Sequence, residues 1–179
     1  MLTTRICSML GIDFPIINAP MSGTATAELA IAVSKAGAFG MIGAGDDPDP
    51  TWLLEQVHAV REKTDLPFGV GFISSAPGLE KAIEAALDAK VTAVSHSFVD
   101  PTPLIDQAKG SGVKIFAQVQ TMDNARKAVA AGADGDGGGD TGGTTHIAVI
   151  DRDGKEYDAK LIGADKRTDL ALLKVESDE

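Results

Sequence analysis

The chain has 179 residues, 44% hydrophobic and 23% charged, the make-up of a folded globular protein of one domain or at most two. Its 26 acidic residues outnumber 16 basic ones for a formal net charge of −10, which repels phosphate backbones and argues against a nucleic-acid binder. No apolar run reaches membrane length, the first residues do not read as a signal peptide, and the lone Cys7 cannot form an internal disulfide, so a cytoplasmic protein that does not enter a membrane is expected.

From residue 12 to about 135, short apolar runs alternate with Ala-, Leu-, Lys- and Glu-rich stretches of helical spacing. A first strand over residues 14–20 leads to a helix over 26–36, with Thr24 or Thr26 as N-cap and Gly37 as stop. A second strand (39–44) leads to a helix over 51–63 with Leu53, Leu54, Val57 and Val60 on one face. The third unit pairs residues 68–73 with 77–89, where Pro77 suits a first turn. The fourth pairs 91–98 with 103–109, and the fifth pairs 113–119 with 123–131. Five strand–helix repeats of this kind imply an α/β fold with a parallel sheet. No G-x-G-x-x-G follows the first strand, which favours a (β/α) barrel of TIM type over a doubly wound dinucleotide fold. Eight units need about 250 residues, so the barrel is partial.

Residues 132–143 then hold seven glycines in twelve positions and no large apolar side chain. They read as a flexible linker or as an anion-cradling loop, not as a packed strand. Beyond them, residues 146–150 and 155–162 read as a hairpin turning at Asp153-Gly154, with a last strand over 169–175. This short antiparallel segment is too small for a core of its own. The expected organisation is a truncated barrel over 1–135, a linker over 136–143 and a β segment over 144–179.

Leu10-Gly-Ile-Asp-Phe-Pro-Ile-Ile-Asn-Ala-Pro-Met-Ser-Gly23, Ala36-Gly-Ala-Phe-Gly-Met-Ile-Gly-Ala-Gly45, Gly69-Val-Gly-Phe72 and Phe116-Ala-Gln-Val-Gln120 carry a resemblance. In order and spacing, residues 2–135 resemble the flavin-dependent nitronate monooxygenases, formerly called 2-nitropropane dioxygenases. The resemblance implies a barrel that binds FMN at the carboxyl ends of its strands and oxidises a nitronate-like small molecule. Ala19, Pro20 and Met21 would then lie against the isoalloxazine ring, Asn18 and Gln118 would hydrogen-bond it, and Gly71 would allow close backbone approach. Read without the resemblance, Asn18 is equally a loop cap and Gln118 a satisfied core amide. The family's Gly-Gly-His motif, whose histidine is the catalytic base, is echoed by Asp140-Thr-Gly-Gly143, but Thr144 stands at the histidine's place. His146, two residues on, and His96, at the end of the fourth strand, are the candidate bases. The later phosphate-holding loops of such barrels have no counterpart, so impaired activity is expected.

Residues 153–176 resemble a piece of the high-temperature-requirement (Deg) serine proteases. Asp169, in Arg-Thr-Asp-Leu-Ala-Leu-Leu, matches that family's triad aspartate. Its histidine and serine motifs are absent, so no protease activity is expected. The two resemblances together suggest a chimera. A non-catalytic half-barrel scaffold that self-associates through its open edge is the competing reading. Of the remaining candidates, His58 reads as a surface residue and Cys7 as packing. The acidic run over 46–50 reads as a solvated loop, and no metal site has recognised ligand spacing.

Overall fold

A computed structural model describes the backbone of residues 4–118, 122–133, 147–150, 156–165 and 170–175. A short helix α1 (Arg5–Leu10) precedes α2 (Ala27–Lys35), β1 (Gly40–Gly43), α3 (Pro50–Arg61), β2 (Phe68–Ile73) and α4 (Leu79–Asp88). Then follow β3 (Ala93–Ser97), α5 (Thr102–Ala108), β4 (Lys114–Ala117) and α6 (Met122–Ala131). β1 to β4 form one parallel sheet in chain order. The last strands are β5 (Ile147–Ile150), β6 (Glu156–Asp165) and β7 (Leu170–Val175), with β6 paired antiparallel to both others. The turn expected at Asp153-Gly154 lies outside the described residues, as do 134–146 and with them the glycine-rich stretch from 134 on. Among the described residues, no helix is long and apolar enough to cross a membrane.

Helix starts follow local chemistry. Asp49 accepts a hydrogen bond from the Thr51 amide at 2.9 Å while Pro50 opens α3, where a missing N–H costs nothing. This gives one member of the acidic run a capping role. Thr26 is the N-cap of α2, but its side chain makes no capping bond. The Ala27 amide instead donates to Gln56 Oε1 at 2.9 Å, so α3 satisfies the end of α2. Gly37, at φ 85°, turns the chain after α2, as the sequence indicates.

The first expected strand, over 14–20, is reduced to one parallel bridge between Ile17 and Phe39. Pro15 and Pro20 have no N–H to give to a ladder, and the Asp13 and Phe14 amides both donate to Gly37 O. The segment still runs beside β1: Phe39 N donates to Ile16 O at 2.9 Å and Asn18 N to Phe39 O at 3.3 Å.

Side chains alternate across the sheet. Ile42, Phe68, Val70, Phe72, Val94 and Ile115 belong to a large core with Leu53, Val57, Ile83 and Leu104 from the helices. Phe39, Met41 and Ala93 join a small core with Cys7, Leu10 and Ile12, so α1 covers the other face. Each helix from α2 to α6 packs on the next, which puts them in one layer. Strands in chain order with right-handed crossovers require that arrangement, whereas a doubly wound sheet reverses its order.

Ser34 fastens this layer to the sheet. Its buried hydroxyl donates to Pro67 O at 2.9 Å and accepts from Gly40 N at 3.3 Å. Ser34→Ala leaves both backbone groups short of a partner and is expected to lower stability by roughly 1–3 kcal/mol, read by urea unfolding.

Candidate functional site at the carboxyl ends of the parallel strands

On the face of the sheet turned away from the helix layer, the two central strands β2 and β3 carry small side chains. Strand register aligns Met41, Gly69 and Ala93 in one row, and Gly43, Gly71, Ser95 and Phe116 in the next. On the second row sits the turn Ala19–Met21. A Cβ on Gly43 would lie 2.7 Å from both Pro20 O and Met21 O, and one on Gly71 would overlap the Pro20 ring. These two glycines are therefore seats for the turn. The turn closes on itself through Met21 N to Ala19 O at 2.9 Å, and Met21 O accepts from Ala25 N at 2.8 Å.

Asn18 holds the turn in place. Its Oδ1 accepts from Met41 N at 2.8 Å, and its Nδ2 donates to Met41 O and to Ala19 O, each at 3.0 Å. The side-chain amide thus stands in for the ladder that the proline-flanked segment cannot make. Both Nδ2 protons have carbonyl partners in the protein, so Asn18 acts through the turn and offers no N–H to a ring above it.

The structure brings Asn18, Ala19, Pro20, Met21 and Gly71 together. Met21 is 44% exposed. Gln118 follows β4 on the same face as Phe116 by strand alternation. Its amide N donates to His96 O at 2.9 Å and its side chain is exposed. His96 lies at the end of β3, where the sequence puts it, yet it faces the other way: it pairs in register with Phe72, whose side chain belongs to the helix-side core. His96 is completely buried. A one-residue step along the strand separates it from Ser95 on the turn's side. His58 is exposed on α3. His146 and Asp169 lie outside the described residues. Among those described, no group of three or more His, Cys, Asp or Glu is placed to hold a metal ion.

Gly43 and Ser95 are site residues that sequence reasoning missed. A signal for Gly43 existed: glycine within an apolar strand marks close approach of another group, and Phe39-Gly-Met-Ile-Gly43 carries two. Nothing local marks Ser95.

Next to this floor, the Thr102 hydroxyl and amide, then Lys127 at 3.5 Å, hold the Asp100 carboxyl below the ordinary carboxylate range. A lowered value means that this tie between the β3–α5 turn and α6 is intact across the usual carboxylate range and is lost only as pH falls through the lowered value beneath it.

A family profile described as nitronate monooxygenase matches residues 3–86. That segment is related to the nitronate monooxygenases. A probable nitronate monooxygenase of Staphylococcus saprophyticus is 42% identical over 69 residues, 38% of this chain and 19% of its own length. The (3aS,4S,5R,7aS)-5-hydroxy-7a-methyl-1-oxo-octahydro-1H-indene-4-carboxyl-CoA dehydrogenase of Mycobacterium tuberculosis is 29% identical over 151 residues, 79% of this chain. This chain spans 41% of that relative's length. The structure of FabK from Thermotoga maritima superposes with a TM-score of 0.71 at 35% identity, over 75% of this chain and 43% of FabK. The seat and its turn, residues 18–43 with Gly71, fall inside the matched segment.

Two substitutions test the seat. Gly71→Ala is expected to displace Pro20 and to lower stability by about 1–3 kcal/mol through overpacking, seen in thermal unfolding. Asn18→Leu keeps the volume but strands the Met41 backbone groups, and a loss of roughly 1–3 kcal/mol is expected in denaturant titration.

Proposed function

We propose that this chain is part of a (β/α) barrel oxidoreductase of nitronate monooxygenase type, with FMN over the turn Ala19–Met21. The observation that carries the reading is the seat: a rigid turn fixed by Asn18, Gly43 and Gly71 at the carboxyl end of a parallel sheet, inside the segment related to that family. In barrels of this order, ligands sit at that end. The residues fit a flavin in a specific way. Pro20 and Met21 offer rigid backbone and an exposed thioether to a planar ring, and Gln118 offers an unburied amide. FMN supplies the electron transfer when bound. The protein's part is to hold the ring and exclude water, and His146 remains the candidate for taking a proton from a nitronate-like substrate.

A second reading has its own support. His96 faces away from the floor, and Thr144 stands where the family's histidine is expected. On this reading the chain is a non-catalytic half barrel that associates with itself. The outer segment beside β1 exposes Phe14, Ile16 and Ile17, an apolar strip of the kind that associating edges carry. Residues 144–179 are then a separate β segment, chimeric in origin and without protease activity.

An FMN titration followed by visible absorption and gel filtration separates the two. The enzymatic reading expects a flavin band that co-elutes with protein and weakens in Gln118→Ala. A protein peak that elutes without a flavin band, together with unquenched FMN fluorescence, contradicts it. Multi-angle light scattering is expected to show a dimer or larger assembly, and a stable monomer removes the scaffold reading.

A further inference from the structure

The end of β3 carries a buried titratable group that the flavin floor does not use. His96 Nε2 lies 3.0 Å from Phe98 O and 3.0 Å from Val99 O. Carbonyl oxygens only accept, so Nε2 carries a proton and donates to both. In the neutral ring Nδ1 is then a lone-pair acceptor, and it is buried without a partner. The Ser74 hydroxyl is the other buried side-chain atom without a partner among the described residues. Buried polar groups are paired as a rule, and here one is an acceptor and the other can donate.

The two residues lie at neighbouring strand ends. Phe72 pairs in register with His96, Ser74 follows two residues later, and Ser74 N donates to Ser97 O at 3.2 Å. The turn gripped by His96 is itself strained. Phe98 has a φ of 74°, a left-handed backbone that a bulky residue seldom adopts. Phe98 and Val99 project half-exposed side chains at the mouth of the sheet. Strain of this kind persists where the surroundings over-determine the backbone, and a buried donor shared by two successive carbonyls does so.

We propose that Ser74 and His96 form a clamp of fixed tautomer. One buried water joins the Ser74 hydroxyl to His96 Nδ1, donating to the ring nitrogen, and Nε2–H holds the Phe98–Val99 turn in its left-handed form. His96 is thereby a positioning residue that couples the ends of β2 and β3 and shapes the mouth above the turn Ala19–Met21. It takes no proton from a substrate, because its one proton faces backbone acceptors and its lone pair faces the helix layer.

The test is NMR of the full chain with 15N-labelled histidine, and it needs no flavin. His96→Gln identifies the His96 signals. The expected result is a single Nε2–H tautomer whose Nδ1 signal is shifted, as for a nitrogen that accepts a hydrogen bond, with a slowly exchanging Nε2–H. Ser74→Ala is expected to move the Nδ1 signal toward the unbonded position and to speed exchange of the Nε2 proton. His96→Gln retains an N–H donor toward the turn and should keep the Phe98 and Val99 amide shifts, whereas His96→Leu should lose them. A ring protonated on Nδ1, an Nδ1 signal of an unbonded nitrogen in the unsubstituted protein, or equal loss of the turn in the Gln and Leu variants overturns the clamp. A water cross-peak to the ring is expected for the bridge, and its absence overturns it.

Discussion

The docking of one proline-containing turn onto two glycines governs the geometry of the sheet face that carries the candidate site. Gly43 and Gly71 are neighbours in register, and both lack the atom that would keep Pro20 and Met21 away. Asn18 completes the contact by bonding both the N–H and the C=O of Met41. A segment that cannot form a regular strand is thereby held as firmly as one, through side-chain bonds that replace the missing ladder. The edge of the sheet and the floor of the site are set by the same contact.

Bulk is distributed unequally across the sheet, and this divides its labour. Phe68, Val70, Phe72 and Val94 fill the helix side, while Gly69, Gly71, Ala93 and Ser95 line the other. Heavy side chains give the helices a surface to pack on, and light ones leave room above the strands for the turn. His96 belongs to the heavy side. Its burial there and its grip on two carbonyls fit a structural duty better than proton transfer.

Much of the fold was legible in the sequence because periodicity is a local property. The strands at 40–43, 68–73, 93–97 and 114–117 and the helices at 27–35 and 79–88 fall within the stretches their patterns mark, while the helices at 50–61, 102–108 and 122–131 each start one residue earlier. The exception is the first strand, where an apolar run hid two prolines that withhold donors. Of the site, the Asn-Ala-Pro-Met stretch and Gly71 could be picked out, but their mutual role could not. Pro20 and Gly71 are 51 positions apart, and only pairing in space puts a ring where a side chain is missing.

The sequence by itself determined most of the order of elements, the parallel α/β class and the acidic character of the chain, since each depends on composition or on spacing within one element. Tertiary structure alone decided which face each strand residue serves. Alternation says that Ser95 and His96 point opposite ways, but not which of them meets the helices. That choice depends on where the crossovers lie and on which neighbours are glycine, and it placed Ser95 beneath the turn and His96 in the core.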